Sequence, residues 1–170
     1  MERPGRPEEP AVFDTSSLII LDLLGYIPLL QRLYKVVVPE AVCEELSARP
    51  GSPGSGVVAL DWVVHRAPGA ESVRQVRREP PTVGRGEREV IALGLELSCP
   101  VVLDDRKARQ RARRLGLEIT GTLGVLLRLH DFGFTSRAIE EDMQLLEEAG
   151  MRISPELRKA VIEARRQPRR

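Results

Sequence analysis

The chain has 170 residues, with 26 basic and 25 acidic side chains, a formal net charge of +1 and 42% hydrophobic residues. This length and apolar content suit a single folded core, and the near-zero charge excludes a polycation that binds nucleic acid along its whole surface. No run approaches the roughly 18 apolar residues that a membrane span requires, and the polar start predicts no signal peptide.

The cysteine content gives a second constraint. Cys43 and Cys99 are too few for a disulfide framework or a cysteine-based metal cluster. Both lie in apolar stretches, which favours buried free thiols in a reducing compartment. The sequence therefore predicts a cytoplasmic protein without a membrane segment.

Short apolar runs alternate with helical patterns along the chain. The predicted strands are residues 11–14 (AVFD), 35–39 (KVVVP), 60–67 (LDWVVHRA), 100–105 (PVVLDD) and 117–121 (LEITG). Helical patterns cover residues 17–34, 39–48, 87–97, 106–116, 122–133, 136–150 and 155–166. The first of them is expected to break at Gly25, and Pro28 can start the next turn. Such alternation predicts an α/β fold, in which a mostly parallel sheet is covered by helices on both faces.

The pattern also predicts the domain organisation. One domain is expected over residues 11–166, between a disordered leader at 1–10 and a basic tail at 167–170. Within this domain, residues 68–86 have only a weak pattern. Trp62 is expected to pack in the core, and Ser154 before a proline is expected to cap the last helix.

Acidic residues follow two of the predicted strands. Asp14 ends the first strand, and Asp104 and Asp105 end the fourth. Ligands of an open parallel sheet bind beyond the carboxyl ends of its strands, so these carboxylates converge if the two strands are neighbours. Glu45 and Glu87 lie on helices that could face the same crevice. Clustered carboxylates need a cation to offset their repulsion, and oxygen-only ligands suit Mg²⁺ or Mn²⁺.

Each of these acids also has an ordinary structural role open to it. Asp14, Asp104 and Asp105 could cap the helices that follow them. Glu45 could be a solvated helix residue, and Glu87 could interact with the dipole of a helix N-terminus. The sequence alone leaves these alternatives open.

No other catalytic motif competes with the carboxylates. His65 is predicted in a strand and His130 in a helix, where a lone histidine is usually structural. The segment GTLG lacks the spacing and the ending of a phosphate-binding loop, and GRGERE follows a loop rather than a strand, unlike a dinucleotide-binding fingerprint.

Four segments in order carry a family resemblance: VFDTSSLI, VVVPEAVCEEL, GRGEREVIALGLEL and VVLDDRKARQRARRLGLEITGTLGVLL. Together they closely resemble PIN-domain proteins, and especially the small prokaryotic branch with a GE helix and a DDRKAR strand end. The resemblance covers about residues 11–165. It implies a three-layer α/β/α fold and a Mg²⁺- or Mn²⁺-dependent endoribonuclease that cleaves single-stranded RNA, commonly the toxin of a toxin–antitoxin pair.

The resemblance also assigns roles to residues of this chain. The family's catalytic, metal-binding acids match Asp14, Glu45 (with Glu44 as the alternative register), Glu87, and Asp104 or Asp105. The alternation of side chains along the fourth strand slightly favours Asp104 as the inward-facing acid. Glu87 stands where the wider superfamily more often has Asp. The hydroxyl that supports the first acid matches Thr15 or Ser16.

The basic helix at residues 106–114 could be a solvated face or a contact for RNA. Arg106 and Arg109 share one side of this helix and could flank the scissile phosphate. Aromatic residues make up only 4% of the chain, which argues against recognition by base stacking. RNA binding through backbone contacts is therefore predicted.

Partner proteins are suggested by the last third of the chain. Its helical stretches have more apolar positions than one exposed face needs, including Leu123, Val125, Leu126, Leu127 and Leu129. This excess favours a homodimer. An antitoxin partner is possible but leaves no mark in this sequence.

Two other functions stay open. A non-catalytic nucleic-acid-binding or regulatory module with the same fold would bind RNA, or nothing, without cleaving it. Phosphoryl transfer through Asp14 is less favoured, because phosphatases of the haloacid-dehalogenase type have a second Asp two positions on, where this chain has Ser16.

Overall fold

The computed structural model describes residues 9–77 and 83–166. Three parts of the sequence predictions lie outside the described residues: residues 1–8 of the leader, residues 78–82 of the weakly patterned segment 68–86, and the basic tail at 167–170. Pro10, the last residue of the predicted leader, is the first residue of the first strand.

Five parallel strands form the sheet within this part of the chain. They are β1 Pro10–Phe13, β2 Lys35–Pro39, β3 Val64–Arg66, β4 Val101–Val102 and β5 Ile119–Thr120. The central strands consist mainly of buried, β-branched valines, which is typical of a parallel sheet covered on both faces. The predicted three-layer α/β/α fold is confirmed.

Nine α-helices accompany the strands in the described residues. They are α1 Thr15–Leu23, α2 Ile27–Leu30, α3 Glu40–Ser47, α4 Ala70–Arg77, α5 Arg85–Leu97, α6 Arg106–Arg114, α7 Thr122–Asp131, α8 Ile139–Glu148 and α9 Pro155–Arg166. The predicted cap of α9 is confirmed, since the Leu157 amide donates to Ser154 Oγ at 3.1 Å. None of the described helices is both long and apolar enough to cross a membrane.

The strand order β3-β2-β1-β4-β5 determines where a ligand can bind. The chain moves outward from β1 to β2 and β3, and then returns to the other side of β1 to form β4 and β5. Val12 is in register with Val101, and Phe13 with Val102. The strand order therefore reverses between β1 and β4, and the crevice of an open α/β sheet lies at the carboxyl ends of such a pair.

The helical pattern at residues 17–34 forms two helices with the predicted break at Gly25, whose φ of 76° is favourable only for glycine. Two other elements differ from the sequence predictions. The weakly patterned segment 68–86 contains α4, whose sequence AESVRQVR has few apolar residues to signal a helix. Trp62 is only half-buried against the core.

A buried polar cluster attaches α8 to the rest of the domain. The Asp142 side chain has no exposed surface, and it accepts hydrogen bonds from Tyr26 Oη at 2.6 Å and Arg137 Nη1 at 2.9 Å. A further hydrogen bond of 2.6 Å joins it to Nε2 of His130. His130 is thus part of a satisfied internal network, as expected of a structural histidine.

The apolar stretch of α7 is mostly covered by the chain itself. Val125, Leu126 and Leu129 have no exposed surface, whereas Leu123 and Leu127 are half-buried. Burial in the core thus accounts for three of the five positions that suggested a dimer, and the homodimer stays a prediction.

The close packing of α5 on β4 gives a test of the fold. A Cβ atom on Gly94 would lie 2.4 Å from Val101 Cγ1, and overpacking of this kind costs roughly 1–3 kcal/mol, against the ~1 kcal/mol that Ala gains over Gly in a helix. We expect Gly94→Ala to lower the free energy of unfolding by about 1 kcal/mol in urea denaturation. Gly56→Ala is the control, since its Cβ meets nothing within 4 Å and its φ is −73°. Equal stability of the two variants would contradict this packing.

Candidate active site

Asp14 lies at the reversal of strand order and caps α1. Its backbone amide donates to Val102 O of β4 at 3.2 Å, which holds it at the end of the sheet. Its carboxylate accepts hydrogen bonds from the Ser17 amide and the Ser16 hydroxyl, both at 2.9 Å, and from the Ser17 hydroxyl. Asp14 is therefore both a helix cap and a buried acid at the crevice, with 3% of its surface exposed.

Asp104 lies beside Asp14 and is held by α7. The Thr122 amide donates to Asp104 Oδ1 at 2.8 Å, and the Thr122 hydroxyl donates to Oδ2. Ser17 Oγ lies 3.4 Å from Asp104 Oδ2. Because a hydroxyl carries one proton and Ser17 donates its proton to Asp14, this last contact is long. The buried Ser17 hydroxyl thus stands between the two carboxylates.

Asp105 has a different partner from this pair. Its carboxylate accepts a hydrogen bond of 2.8 Å from the Ala108 amide and caps α6, and the residue is exposed. The two acids that the sequence left as alternatives thus have different positions. Asp104 points toward Asp14, and Asp105 has the ordinary role of an N-cap.

Two glutamates complete a pocket of about 180 Å³ next to Asp14. Glu45 of α3 and Glu87 of α5 line it together with Thr15, and the Thr15 hydroxyl donates to Glu45 Oε2. Glu44, the alternative register, instead forms an ion pair of 2.6 Å with Arg85. The structure therefore brings Asp14, Glu45 and Glu87 around one cavity.

Two glycines leave room for the carboxylates. A Cβ atom on Gly86 would lie 2.8 Å from Glu45 Oε1, and one on Gly121 would lie 2.7 Å from Asp104 Oδ1. Any larger residue at either position would displace the acid that faces it. Both glycines thus define the space in which these carboxylates sit.

Burial and a neighbouring charge make the ionised form of the Asp14 carboxyl unfavourable. Burial, and to a smaller degree the nearby charge of Asp104, raises the pKa of the Asp14 carboxyl from 3.8 to about 6. The three hydrogen bonds from Ser17 and Ser16 oppose this increase without cancelling it. The site therefore carries negative charge that its own hydrogen bonds do not compensate.

The donor set matches a hard divalent cation. Asp14, Glu45, Glu87 and Asp104 offer only oxygen ligands, and neither histidine nor cysteine lines the pocket around Asp14. Across residues 9–77 and 83–166, no three Asp, Glu, His or Cys side chains stand close enough to hold a metal together. Loading would thus require side-chain rotation, for which the exposed Glu45, bound to the hydroxyl of Thr15, is the obvious candidate.

The two predicted RNA contacts border the other side of Asp104. Arg109 is half-buried, and its Nη1 donates to Leu103 O at 2.7 Å. Arg106 is exposed at the first position of α6. Both line a groove that adjoins Asp104 and is separate from the pocket of Asp14.

Three residues of this region have a role that the sequence did not predict. Ser17 and Thr122 hold the two central acids, and Glu89 accepts a hydrogen bond of 2.9 Å from the Ala41 amide at the start of α3. A signal existed for Thr122, because it follows β5 just as Asp104 follows β4. Ser17 had a capping signal, since it lies three residues after Asp14.

The raised pKa of Asp14 predicts a pH-dependent cost to stability. An acid whose folded pKa exceeds its unfolded pKa destabilises the fold once it ionises, so stability falls between pH 3.8 and about 6 and stays lower above. This shift corresponds to about 3 kcal/mol at pH 8 and about half of that at pH 5. We expect Asp14→Asn to raise the free energy of unfolding in EDTA, and to do so more at pH 8 than at pH 5.

Asp61→Asn serves as the matched control, because Asp61 is exposed and distant in sequence from the site. Thermal and urea denaturation at the two pH values measure both variants. A gain for Asp14→Asn that is equal at pH 5 and pH 8, or no gain at all, would contradict the uncompensated charge.

Comparisons with known proteins identify the family of this chain. Curated protein sequences contain no match to it. Among solved structures, it is similar to a PilT N-terminus domain protein from the hyperthermophilic archaeon Sulfolobus solfataricus P2, with 20% identity, a TM-score of 0.46, and coverage of 85% of this chain and 96% of that one. The family model DUF3368, described as a PIN domain, matches residues 10–167. PIN domains are generally nucleases and typically use divalent metal ions, and this chain belongs to the PIN domain family.

Proposed function

We propose that the protein is a metal-dependent endoribonuclease that cleaves phosphodiester bonds of single-stranded RNA. The observation that carries this proposal is the pair of adjacent acids Asp14 and Asp104 at the switch point of the sheet. One of the two is buried with a raised pKa, and its pocket is lined by two further glutamates. Such a cluster is costly to the fold, and a cation would offset the cost.

The cation proposed for this site is Mg²⁺ or Mn²⁺. Asp14, Glu45, Glu87 and Asp104 would hold it, because oxygen-only ligands suit these ions. When bound, the ion would acidify water for attack on the phosphorus and offset charge on the phosphodiester. The protein's part is to hold the acids in place.

Different hydroxyl residues hold the individual acids in place. Ser17 and Ser16 donate to Asp14 and so stabilise its ionised form. Thr122 donates two hydrogen bonds to Asp104 from the N-terminus of α7, where the helix dipole also favours a negative charge. Thr15 holds Glu45 in the position from which it would rotate on metal loading. The contacts of the serines and Thr122 fix the two aspartates before a substrate arrives.

Single-stranded RNA is the proposed substrate. Arg106 and Arg109 lie beside Asp104 at the start of α6, where they would contact phosphates next to the scissile bond. No aromatic side chain lines either the pocket of Asp14 or the groove of Asp104. Contacts would thus be made to the backbone rather than to particular bases.

We further propose that the protein is the cytoplasmic toxin of a toxin–antitoxin pair. In this proposal residues 11–166 form one domain, and the protein is active as a homodimer.

Cleavage of RNA tests the proposed function directly. We expect the protein to degrade unstructured RNA with Mg²⁺ or Mn²⁺ and to lose activity in EDTA. We expect Asp14→Asn to lower the cleavage rate by roughly 100-fold or more, because it removes the central ligand while keeping the shape of the side chain. Gel analysis of a labelled oligonucleotide measures both. Equal activity of the variant and the unaltered protein would overturn the assignment.

A non-catalytic RNA-binding module is the second candidate function, and it is favoured by one observation. No three ligating side chains converge among the described residues. Titration calorimetry with Mn²⁺ separates the two candidates, because the nuclease requires a saturable site that Asp14→Asn weakens. Binding of RNA without any Mn²⁺ site would favour the module.

The pair Asp104 and Asp105 gives a matched comparison within the site. Each change to Asn removes one negative charge, and Asn caps helices about as well as Asp, so Asp105→Asn keeps the cap of α6. We expect Asp104→Asn to lose cleavage and Mn²⁺ affinity, and Asp105→Asn to retain both. The reverse result would make Asp105 the ligand.

A further inference from the structure

We propose that the groove beside Asp104 binds the sugar-phosphate backbone of the RNA, with Arg152 as its distal phosphate contact. This groove, called here the exit groove, lies between the N-terminal ends of α6 and α7 and the connection from α8 to α9. Asp104, Arg106 and Arg109 form its inner end. The proposal rests on the nuclease function proposed above and extends it to a stretch of chain with no assigned role.

The size of the exit groove suits a polymer. Its cavity volume is about 1090 Å³, at or above the upper end of the roughly 300–1,000 Å³ that is typical of small-molecule sites. The pocket around Asp14, by contrast, measures about 180 Å³. A small acidic pocket beside a long open groove is the arrangement expected when one phosphodiester of a longer strand is cleaved.

The charges of the exit groove favour phosphates. Arg106, Arg109 and Arg152 have no ion pair with any carboxylate in residues 9–77 and 83–166. Several arginines elsewhere do pair: Arg66 with Glu96, Arg85 with Glu44, and Arg137 with Asp142. Arg106 and Arg152 therefore keep their side chains available for an anionic ligand, and the half-buried Arg109 adds its positive charge while it donates to Leu103 O.

The floor of the exit groove is aliphatic. It is lined by Ile20, Leu123, Leu127, Met151, Ile153 and Leu157. Leu157 is 45% exposed, which is unusual for a large apolar side chain of this protein. Bases can pack on such a surface, but no aromatic ring lines the groove to stack on them. We infer that binding is tolerant of base sequence and is dominated by the phosphates.

An acidic peptide would also be attracted to the three arginines. Its carboxylates would then meet Asp104 and Asp105 at the inner end of the groove, where like charges repel. RNA is the occupant that we propose, because a phosphodiester is the group that the proposed nuclease site next to the groove must hold. The acidic peptide is the alternative that the experiment tests.

Binding of RNA to the full chain carrying Asp14→Asn tests this proposal, because that change prevents cleavage during the measurement. Fluorescence anisotropy with oligouridylates of about 4 and about 12 nucleotides, lengths within the site sizes of single-strand-binding folds, measures Kd with Mg²⁺ over a range of salt. We expect the longer strand to bind more tightly. Adding Arg152→Ala should weaken its binding several-fold and reduce the salt slope by about 0.7, the value of one lost phosphate contact.

Arg113→Ala is the matched control, since Arg113 is an exposed arginine of α6 that does not line the groove. It should leave the affinity and the salt slope unchanged. The proposal is overturned if Arg152→Ala binds as its parent does, if the two oligouridylates bind equally, or if Arg152→Ala weakens a poly-glutamate peptide but not RNA. Cleavage by the unaltered protein is measured separately, so a failure of the nuclease function is distinguishable from a failure of the groove.

Discussion

The parallel pairing of β1 with β4 is the constraint on which the site depends. It places Asp14 and Asp104, which are far apart in sequence, at neighbouring strand ends, where the chain reverses its direction of winding. In this pairing the Asp14 amide donates to Val102 O, and the Ser17 side chain lies between the two carboxylates. The remaining acids are brought by helices that pack around the same strand ends.

The two adjacent acids of the candidate site lower the stability of the fold. A buried carboxylate next to a second one is unfavourable, and the raised pKa of Asp14 expresses that cost. The fully buried core around it, including Val12, Phe13 and Val102, supplies the offsetting hydrophobic stabilisation. The helix caps formed by Asp14 and Asp105 add to this stabilisation. Asp14 has a second role, as the buried acid at the crevice.

Sequence patterns predicted the features that depend on periodicity and on the residues at strand ends. The valine strands, the acids at their ends and the PIN-like order of motifs are all local signals, and they led to the correct fold and family. Other features depend on three-dimensional neighbours. The different positions of Asp104 and Asp105 depend on Thr122, which holds Asp104. Helix α4 was not predicted because its packing against α5 compensates for a weakly apolar sequence. The role of Glu89 could not be predicted because its partner, the start of α3, is distant in sequence.

The candidate site consists of a pocket and a groove that are separated by one wall. Asp14 opens into the small pocket with Glu45 and Glu87, whereas Asp104 opens into the long groove with its unpaired arginines. The wall between them is the contact of Asp14, Ser17 and Asp104. A phosphodiester placed at this wall would have carboxylates, and with them any bound cation, on one side and guanidinium groups on the other. Under the proposed function, opposite charges on the two sides would orient the strand without any reading of its bases, so that few aromatic residues would be needed.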